Sequence, residues 1–311
     1  MIFGRKSSTL ESFYSMTIPT ITRRQALFAG TAGLVAAAEK GRSHLTLAGY
    51  IWQNYAAREK KPVAELLVEL FATAPYGGFR NIELSNPFFE PALVDRVIAL
   101  THSNGLSMPS VYCGGAMHQK ALADKTIARA LEIGTVCKRF KCAAIVHNPS
   151  QKTQNGRKTD EELAVQADQL NRMGRTLADS GFQLRIHHHT AEMQENAREW
   201  RHILKNTDPK YVTACMDLEL VDAGGMKPNV LLREAGPRIA ELHLRNKKAT
   251  QLESFEDGDI DYYETAAILK QLNLKPWLAV ELAYHDDTTI TRSLKDDIRV
   301  SRIYAEKVFG L

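Results

Sequence analysis

The chain has 311 residues, of which 44% are apolar, 24% charged and 8% aromatic. This composition excludes a collagen, a disulfide-stabilised miniprotein and an intrinsically disordered chain, and the length suits one large domain or two medium ones. The formal charge of +4 is mildly basic, which would favour a nucleic-acid partner if the excess were clustered.

The first segment has the pattern of an export signal. Arg23 and Arg24 precede an apolar run that reaches Val35 and ends in three alanines, 36–38. Such a pattern is typical of a signal peptide, and paired arginines are typical of the twin-arginine class. We therefore expect residues 1–38 to be a leader and the mature chain to be exported, to the periplasm. Translation would start at Met1 or Met16, and a buried N-terminal helix is the alternative.

Removing the leader changes the charge balance. It holds four of the 40 basic residues and one of the 36 acidic ones, so the mature chain has a net charge of +1. We therefore expect no nucleic-acid partner and no stable membrane insertion after leader removal. Whether the chain forms a homo-oligomer stays open. The four cysteines lack the spacing of a metal site, and we expect buried free thiols.

Beyond the leader, short apolar runs alternate with amphipathic stretches. The apolar runs predict eight strands: Leu45–Trp52, Phe79–Leu84, Ser107–Cys113, Cys142–His147, Gln183–His188, Val212–Asp217, Arg238–Leu244 and Trp277–Leu282. The amphipathic stretches predict helices at Val63–Ala74, Pro91–Ser103, Lys125–Phe140, Glu161–Ser180, Ala197–Lys205, Pro228–Glu234, Asp261–Leu272 and Thr291–Val308.

Eight strand–helix units in about 260 residues are typical of a (β/α)8 TIM barrel in the α/β class. A doubly wound open sheet is the alternative, but it would carry a glycine-rich turn after the first strand. Gly49 lies within that predicted strand instead. We therefore predict a single barrel domain over residues 39–311, with the polar loop 148–158 as a cover for an active site.

Ionisable residues stand at the ends of six predicted strands. They are Glu83, His147, His187, Asp217, His243 and Glu281. In a barrel these carboxyl ends meet at one mouth, where catalytic residues are placed. A single acid after a strand often only caps the next helix, but Asp217, His243 and Glu281 follow three successive strands. Carboxylates and imidazoles together suit one divalent cation: Mn²⁺ most, with Co, Zn, Fe or Mg as alternatives.

Three consecutive histidines end the fifth predicted strand. Side chains alternate along a strand, so His187 and His189 face one side and His188 the other. If His187 points into the mouth, His189 reaches the same site and His188 is structural. Glu192 either lines the site or caps a helix that begins near Asn196.

Five short motifs follow one another in the second half of the chain: HHHTAE (187–192), MD (216–217), RIAELHLRN (238–246), GDIDY (258–262) and WLAVE (277–281). In this order and spacing they resemble the sugar isomerase/epimerase superfamily with the xylose-isomerase-like barrel, which includes inosose dehydratases and sugar lyases. The resemblance covers residues 45–311. It implies that His187, Asp217, His243 and Glu281 bind the metal.

The chain also departs from the family pattern. Many members have Glu in place of His187, where two glutamates act as paired acid and base. Leu220 stands where several relatives have His, and Arg245-Asn246 replaces Lys-Asp.

The resemblance implies a metal-dependent isomerase or epimerase that acts on an unphosphorylated sugar or sugar derivative through an enediolate. Glu281 would be ligand and possible base, and His189 or Glu192 its acid–base partner. Glu83, His147 and Arg245 would orient hydroxyl groups, and Trp52 would either stack on the sugar or lie in the core.

Three alternatives remain. Loss of a β-substituent from the same intermediate would make the enzyme a dehydratase or lyase acting on a keto-sugar, inosose or 3-keto-glycoside. A DNA endonuclease on the same barrel would need a basic face. An exported sugar-binding protein would need no metal.

Overall fold

The structure, a computed structural model, describes residues 44–152 and 156–311. The predicted leader, its cleavage point and both candidate start residues lie outside the described residues. None of the helices in the described part is long and apolar enough to span a membrane.

Eight parallel strands close into a barrel, in which each strand pairs with the next and the last pairs with the first. The strands are β1 Leu45–Ala48, β2 Ile82–Ser85, β3 Ser110–Tyr112, β4 Ala144–His147, β5 Gln183–Ile186, β6 Val212–Asp217, β7 Ile239–Leu244 and β8 Trp277–Val280. The predicted (β/α)8 barrel is confirmed.

Helices follow the strands and cover the barrel. They are α1 Tyr50–Arg58, α2 Val63–Tyr76, α3 Val94–Ser103, α4 Lys120–Cys137, α5 Asp160–Asp179, α6 Thr190–Asn206, α7 Leu218–Ala223, α8 Pro228–Ala235, α9 Tyr262–Gln271 and α10 Leu294–Phe309. Helices α1 and α7 were not predicted. A two-stranded hairpin, Lys247–Lys248 with Thr250–Gln251, follows β7.

Strand β1 is shorter than predicted, and this changes the position of Trp52. The chain turns at Gly49, where a Cβ would lie 2.5 Å from Leu84 Cδ2, and continues as α1. Trp52 is fully buried in α1: its ring packs on Phe71 and Phe88, and its indole N–H donates to Thr73. Of the two positions that the sequence left open for Trp52, the structure shows the core, and stacking on a sugar is wrong.

The register between strands places the polar side chains inside the barrel. Asp217 of β6 is the register partner of His243 in β7, which is the partner of Ala279 in β8. Register partners in parallel strands face the same side, and Glu281, two residues beyond Ala279, faces that side too. The four cysteines are buried and free.

Candidate active site

Four side chains from the ends of β5 to β8 converge at the barrel mouth. His187, Asp217, His243 and Glu281 are buried, and each offers one ligand atom within 4.8 Å of the others. This spacing fits donor atoms that share one cation, since ligand bonds of about 2.1 Å place opposite donors about 4.2 Å apart. The structure therefore brings together the four residues that the sequence indicated as ligands.

The charges around this group also fit a cation. Five acids, including the two candidate carboxylate ligands, surround the group, and they are opposed by two guanidinium groups and the His243 ring. The acids are Asp217, Glu281, Glu219, Glu83 and Glu241, and the guanidinium groups belong to Arg185 and Arg245. Buried charges are costly unless they are compensated. A divalent cation would supply the missing positive charge.

His187 is prepared to act as a ligand. Its Nε2 is buried and has no hydrogen-bond partner among the described residues, while Nδ1 lies 3.5 Å from the Tyr112 hydroxyl. Burial, together with the nearby His243, holds the pKa of His187 well below its ordinary value. The ring is therefore neutral near pH 7 and keeps a lone pair for a metal.

His243 lies between two carboxylates. Its Nδ1 is 3.2 Å from Glu281 Oε2, and its Nε2 is 3.2 Å from Glu83 Oε1. Burial alone would lower the pKa of His243, but Cys215 and Glu281 beside the ring raise it well above its ordinary value. Burial would likewise raise the pKa of Glu281, but His243 and Arg245 hold it at about 2.

Asp217 has a separate function for each oxygen. Oδ1 accepts a hydrogen bond from the Leu220 backbone N–H and caps α7, while Oδ2 lies 2.8 Å from Arg245 Nε. Burial raises the pKa of Asp217 to about 6. The Arg245 guanidinium also lies near Glu219 and Glu281, at 3.4 and 3.9 Å. It therefore contacts three carboxylates, and its predicted contact with substrate stays a prediction.

His189 and Glu192 lie at the start of α6, beside the ligands. The half-buried His189 ring is 5.3 Å from the His187 ring, and burial lowers the pKa of His189. Glu192 is fully buried, and it accepts hydrogen bonds from the His189 backbone N–H at 2.8 Å and from Asn148 Nδ2 at 3.4 Å. Glu192 therefore caps the helix, and Asn148 links it to the His187 carbonyl.

Helix α6 combines two helical segments. The first, which begins at Thr190, was not predicted, and the second begins after Ala197, close to the predicted start near Asn196. The backbone from Gln194 to Ala197 is not helical, and three of these residues are left-handed. His188 turns to the other side: its Nε2 accepts the Asp217 backbone N–H, and its ring meets Trp200 edge-on.

Two predicted substrate contacts lie elsewhere. Tyr112 and Val146 are register partners, and Tyr112 faces the interior beside His187, so His147 points outward from β4. There its Nδ1 bonds to the Cys113 carbonyl. Glu83 faces the interior, but its oxygens contact Ser110 and His243. The placement of His147 toward a substrate is therefore wrong, and Glu83 contacts a ligand residue.

Sequence reasoning missed two residues of the site, Tyr112 and Asn148. Asn148 is buried and donates toward the His187 carbonyl and Glu192. Both residues stand at or just after a strand end, but only the pairing of β3 with β4 shows that they face the interior.

A (β/α)8 barrel with a His/Asp/His/Glu group at the ends of its last four strands defines a class of TIM barrels with a candidate metal centre at the mouth. The chain belongs to the xylose isomerase-like TIM barrel family, whose family model matches residues 71–304.

Curated relatives are inosose dehydratases. The chain is 25% identical over 167 residues to that of Clostridium beijerinckii and 27% identical over 168 residues to that of Clostridium tetani. Each match covers 48% of this chain and 55% or 56% of the relative, so the chain spans about half the length of the curated relatives it matches.

Solved structures share the fold at low identity. L-ribulose 3-epimerase superposes with a TM-score of 0.67 at 14% identity, covering 86% of this chain and 94% of the other. D-allulose 3-epimerase from Methylomonas sp., in complex with D-allulose, has a TM-score of 0.67 at 13% identity, covering 85% and 96%.

Proposed function

We propose that this protein is a divalent-metal-dependent enzyme that isomerises or epimerises an unphosphorylated sugar or sugar derivative by proton transfer through an enediolate. The observation that carries the proposal is the convergence of four buried ligand residues within 4.8 Å. His187, Asp217, His243 and Glu281 would hold the cation, with Mn²⁺ favoured. Bound there, a divalent cation polarises a carbonyl oxygen and makes the neighbouring C–H more acidic.

Two side chains are assigned to proton transfer. His189 has a neutral ring near pH 7, because burial lowers its pKa, and a neutral imidazole can accept a proton. Glu281 contacts His243 and Arg245 through Oε2, and we assign proton transfer to its Oε1. One group would remove the proton and the other would return it. The Glu192 carboxylate holds the His189 backbone in place.

Ion pairs near the mouth support an unphosphorylated substrate. The loop after β4 carries Lys152, Arg157 and Lys158, which could bind a phosphate if they were free. Each is paired with a glutamate: Lys152 with Glu162 at 3.0 Å, Lys158 with Glu199 at 2.6 Å, and Arg157 with Glu195. A phosphate would have to break these pairs.

Elimination is a second candidate outcome, and two observations favour it. The fifth-strand ligand is His187, so the site lacks a second glutamate there, and the curated relatives are inosose dehydratases. Elimination needs an acid for the leaving group. Burial raises the pKa of Glu192 to about 7, so its carboxyl group could donate a proton near neutral pH.

One experiment separates these outcomes. The mature protein is loaded with Mn²⁺ and incubated in heavy water with ketoses, inososes and 3-keto-glycosides, and the products are followed by NMR. We expect deuterium at a carbon next to the carbonyl, with the carbon skeleton intact. A new double bond or a released aglycone would establish the lyase alternative.

Variants test the site itself. Asp217→Asn and His243→Ala should each lose metal binding and turnover, while His102→Ala, which changes an exposed histidine in α3, should keep both. If both site variants retained metal and activity, the proposed site would be wrong. Sugar binding by a metal-free wild-type protein, with no turnover after metal loading, would favour the binding-protein alternative.

A further inference from the structure

Glu83 comes from the opposite part of the barrel wall to the ligands, yet it contacts one of them. Its Oε1 is 3.2 Å from His243 Nε2, and the Ser110 hydroxyl donates to its Oε2 at 2.5 Å. The Glu83 side chain is 2% exposed and that of His243 is 0% exposed. Ser110 therefore holds one oxygen of this carboxylate, and the other lies beside His243 Nε2, a buried nitrogen with no hydrogen-bond partner among the described residues.

The two nitrogens of His243 face different surroundings. Nδ1 lies 3.2 Å from Glu281 Oε2, whereas Nε2 faces Glu83. Two ligand atoms that each lie about 2.1 Å from one cation are about 3 Å apart when the ligand–cation–ligand angle is 90°. The Nδ1–Oε2 spacing therefore suits neighbouring ligands of one cation, and Nδ1 is the nitrogen on the ligand side.

We propose that Glu83, held by Ser110, is a positioning residue that accepts the Nε2 proton of His243 and so keeps Nδ1 free to bind the cation. The inference rests on the proposed function, because it assumes a metal at His243. A metal-bound histidine commonly donates its other N–H to a carboxylate, and loss of that carboxylate typically weakens metal binding 10- to 100-fold.

Glu241 provides a matched comparison. It is buried in the same interior and lies within 4.8 Å of the ligand atoms of Glu83 and His243, but it pairs with Arg185 at 2.6 Å. Glu83→Gln and Glu241→Gln each replace a buried carboxyl group near the site with an amide of nearly the same size. Only the first change removes the charged acceptor at His243 Nε2.

The test measures Mn²⁺ affinity of the metal-free protein by competition with a chelator. Glu83→Gln should bind Mn²⁺ about 10-fold more weakly and Ser110→Ala about threefold more weakly, since Ser110 acts through Glu83, while Glu241→Gln should stay within about twofold of wild type. In the Zn²⁺-loaded protein, ¹⁵N NMR should find the His243 proton on Nε2 in the wild type and a mixture of tautomers in Glu83→Gln.

Each outcome decides the proposal. Unchanged affinity in Glu83→Gln, or an equal loss in Glu241→Gln, would overturn it. If Glu83→Gln does not fold, Ser110→Ala decides: weaker binding with a shifted His243 tautomer supports the role, and wild-type behaviour overturns it. A wild-type protein that binds none of Mn²⁺, Co²⁺ and Zn²⁺ would overturn the proposed function as well, which distinguishes the two failures.

Discussion

Glu192 is a buried carboxylate that combines a structural and a chemical position. Its hydrogen bond to the His189 backbone fixes the start of α6, and its other oxygen faces Asn148. Burial, followed by repulsion from Glu199, raises the pKa of Glu192 to about 7. A carboxyl group that keeps its proton near neutral pH can donate it, whereas an ordinary exposed glutamate is ionised there.

We predict that Glu192→Gln changes the pH dependence of stability. Because the folded-state pKa of Glu192 is raised above its ordinary 4.5, its protonated form favours folding at low pH, and this contribution is lost as the pH rises through about 7. The uncharged glutamine avoids that loss. The difference in free energy of unfolding between the variant and wild type should therefore shift in favour of the variant by about 1–3 kcal/mol from pH 5 to pH 8.5. Urea unfolding at the two pH values measures this shift.

Glu162 is the control for this measurement, because it caps α5 as Glu192 caps α6 but is partly exposed. A hydrogen bond from the Thr159 backbone, followed by one from Lys152, lowers the pKa of Glu162. Its ionised form favours folding at pH values above the ordinary pKa of a glutamate. Glu162→Gln should therefore lower the free energy of unfolding at neutral pH, an effect opposite in sign to that of Glu192→Gln. A pH dependence of Glu192→Gln that matches wild type would contradict the assignment.

At the scale of elements, the sequence predicts the bounds of a strand correctly where the apolar run stops abruptly at a charged residue. Strand β6 has the predicted bounds, Val212–Asp217, because an apolar run stops at a charged residue. Strand β1 was overextended because the apolar residues of α1 continue directly from it, and a short buried helix cannot be distinguished from a buried strand by its apolar residues alone.

The same limit explains the errors within the site. Strand ends identify residues near the mouth, but the face of each strand depends on register, which arises from pairing with distant strands. His147 and Val146 are adjacent, and only the pairing of Val146 with Tyr112 shows that His147 points outward. The four candidate metal ligands could be grouped from the sequence because their motifs, in this order, resemble those of one family, and the structure brings them together.

Asn246 fixes the segment that follows β7. Its side-chain oxygen accepts the backbone N–H groups of Lys247 and Ile260, and its amide donates to the carbonyl groups of Glu256 and Ile260. It is fully buried, and a Cβ on Gly258 would lie 2.6 Å from the Asn246 Cγ. This segment begins directly after Arg245, so its order bears on the site.

We predict that Asn246→Asp destabilises the protein, although many relatives have Asp at this position by the sequence resemblance. An ionised aspartate cannot donate, so two carbonyl groups would lose a partner and a charge would be buried. The free energy of unfolding should fall by about 2–5 kcal/mol in urea denaturation at pH 7. Asn273→Asp, an exposed residue in a turn, should change it by less than about 0.5 kcal/mol. Equal effects would contradict the role of Asn246.

At the scale of the whole molecule, we propose that the chain is exported through a twin-arginine leader. Its thiols are compatible with an oxidising compartment, since burial raises the pKa of Cys142 to about 12 and suppresses the reactive thiolate. Cell fractionation should place the protein outside the cytoplasm, with a mature N-terminus at Glu39. Changing both Arg23 and Arg24 to lysine should keep the protein in the cytoplasm. The control Arg5→Lys should leave export unchanged. A chain that keeps residues 1–38 after fractionation would contradict the proposal.

Acidic side chains outnumber basic ones around the candidate metal centre, so we predict that a bound cation stabilises the folded protein. A cation that binds only the folded state stabilises it by about 2.7 kcal/mol at 100 times its Kd. For a protein of this size, we expect Mn²⁺ to raise the unfolding temperature by about 5–10 °C. Asp217→Asn keeps an oxygen that can cap α7 but weakens the ligand set, so its unfolding temperature should not respond to Mn²⁺. Calorimetry of both proteins, with and without Mn²⁺, measures this, and an equal rise in the variant would show that the ion binds elsewhere.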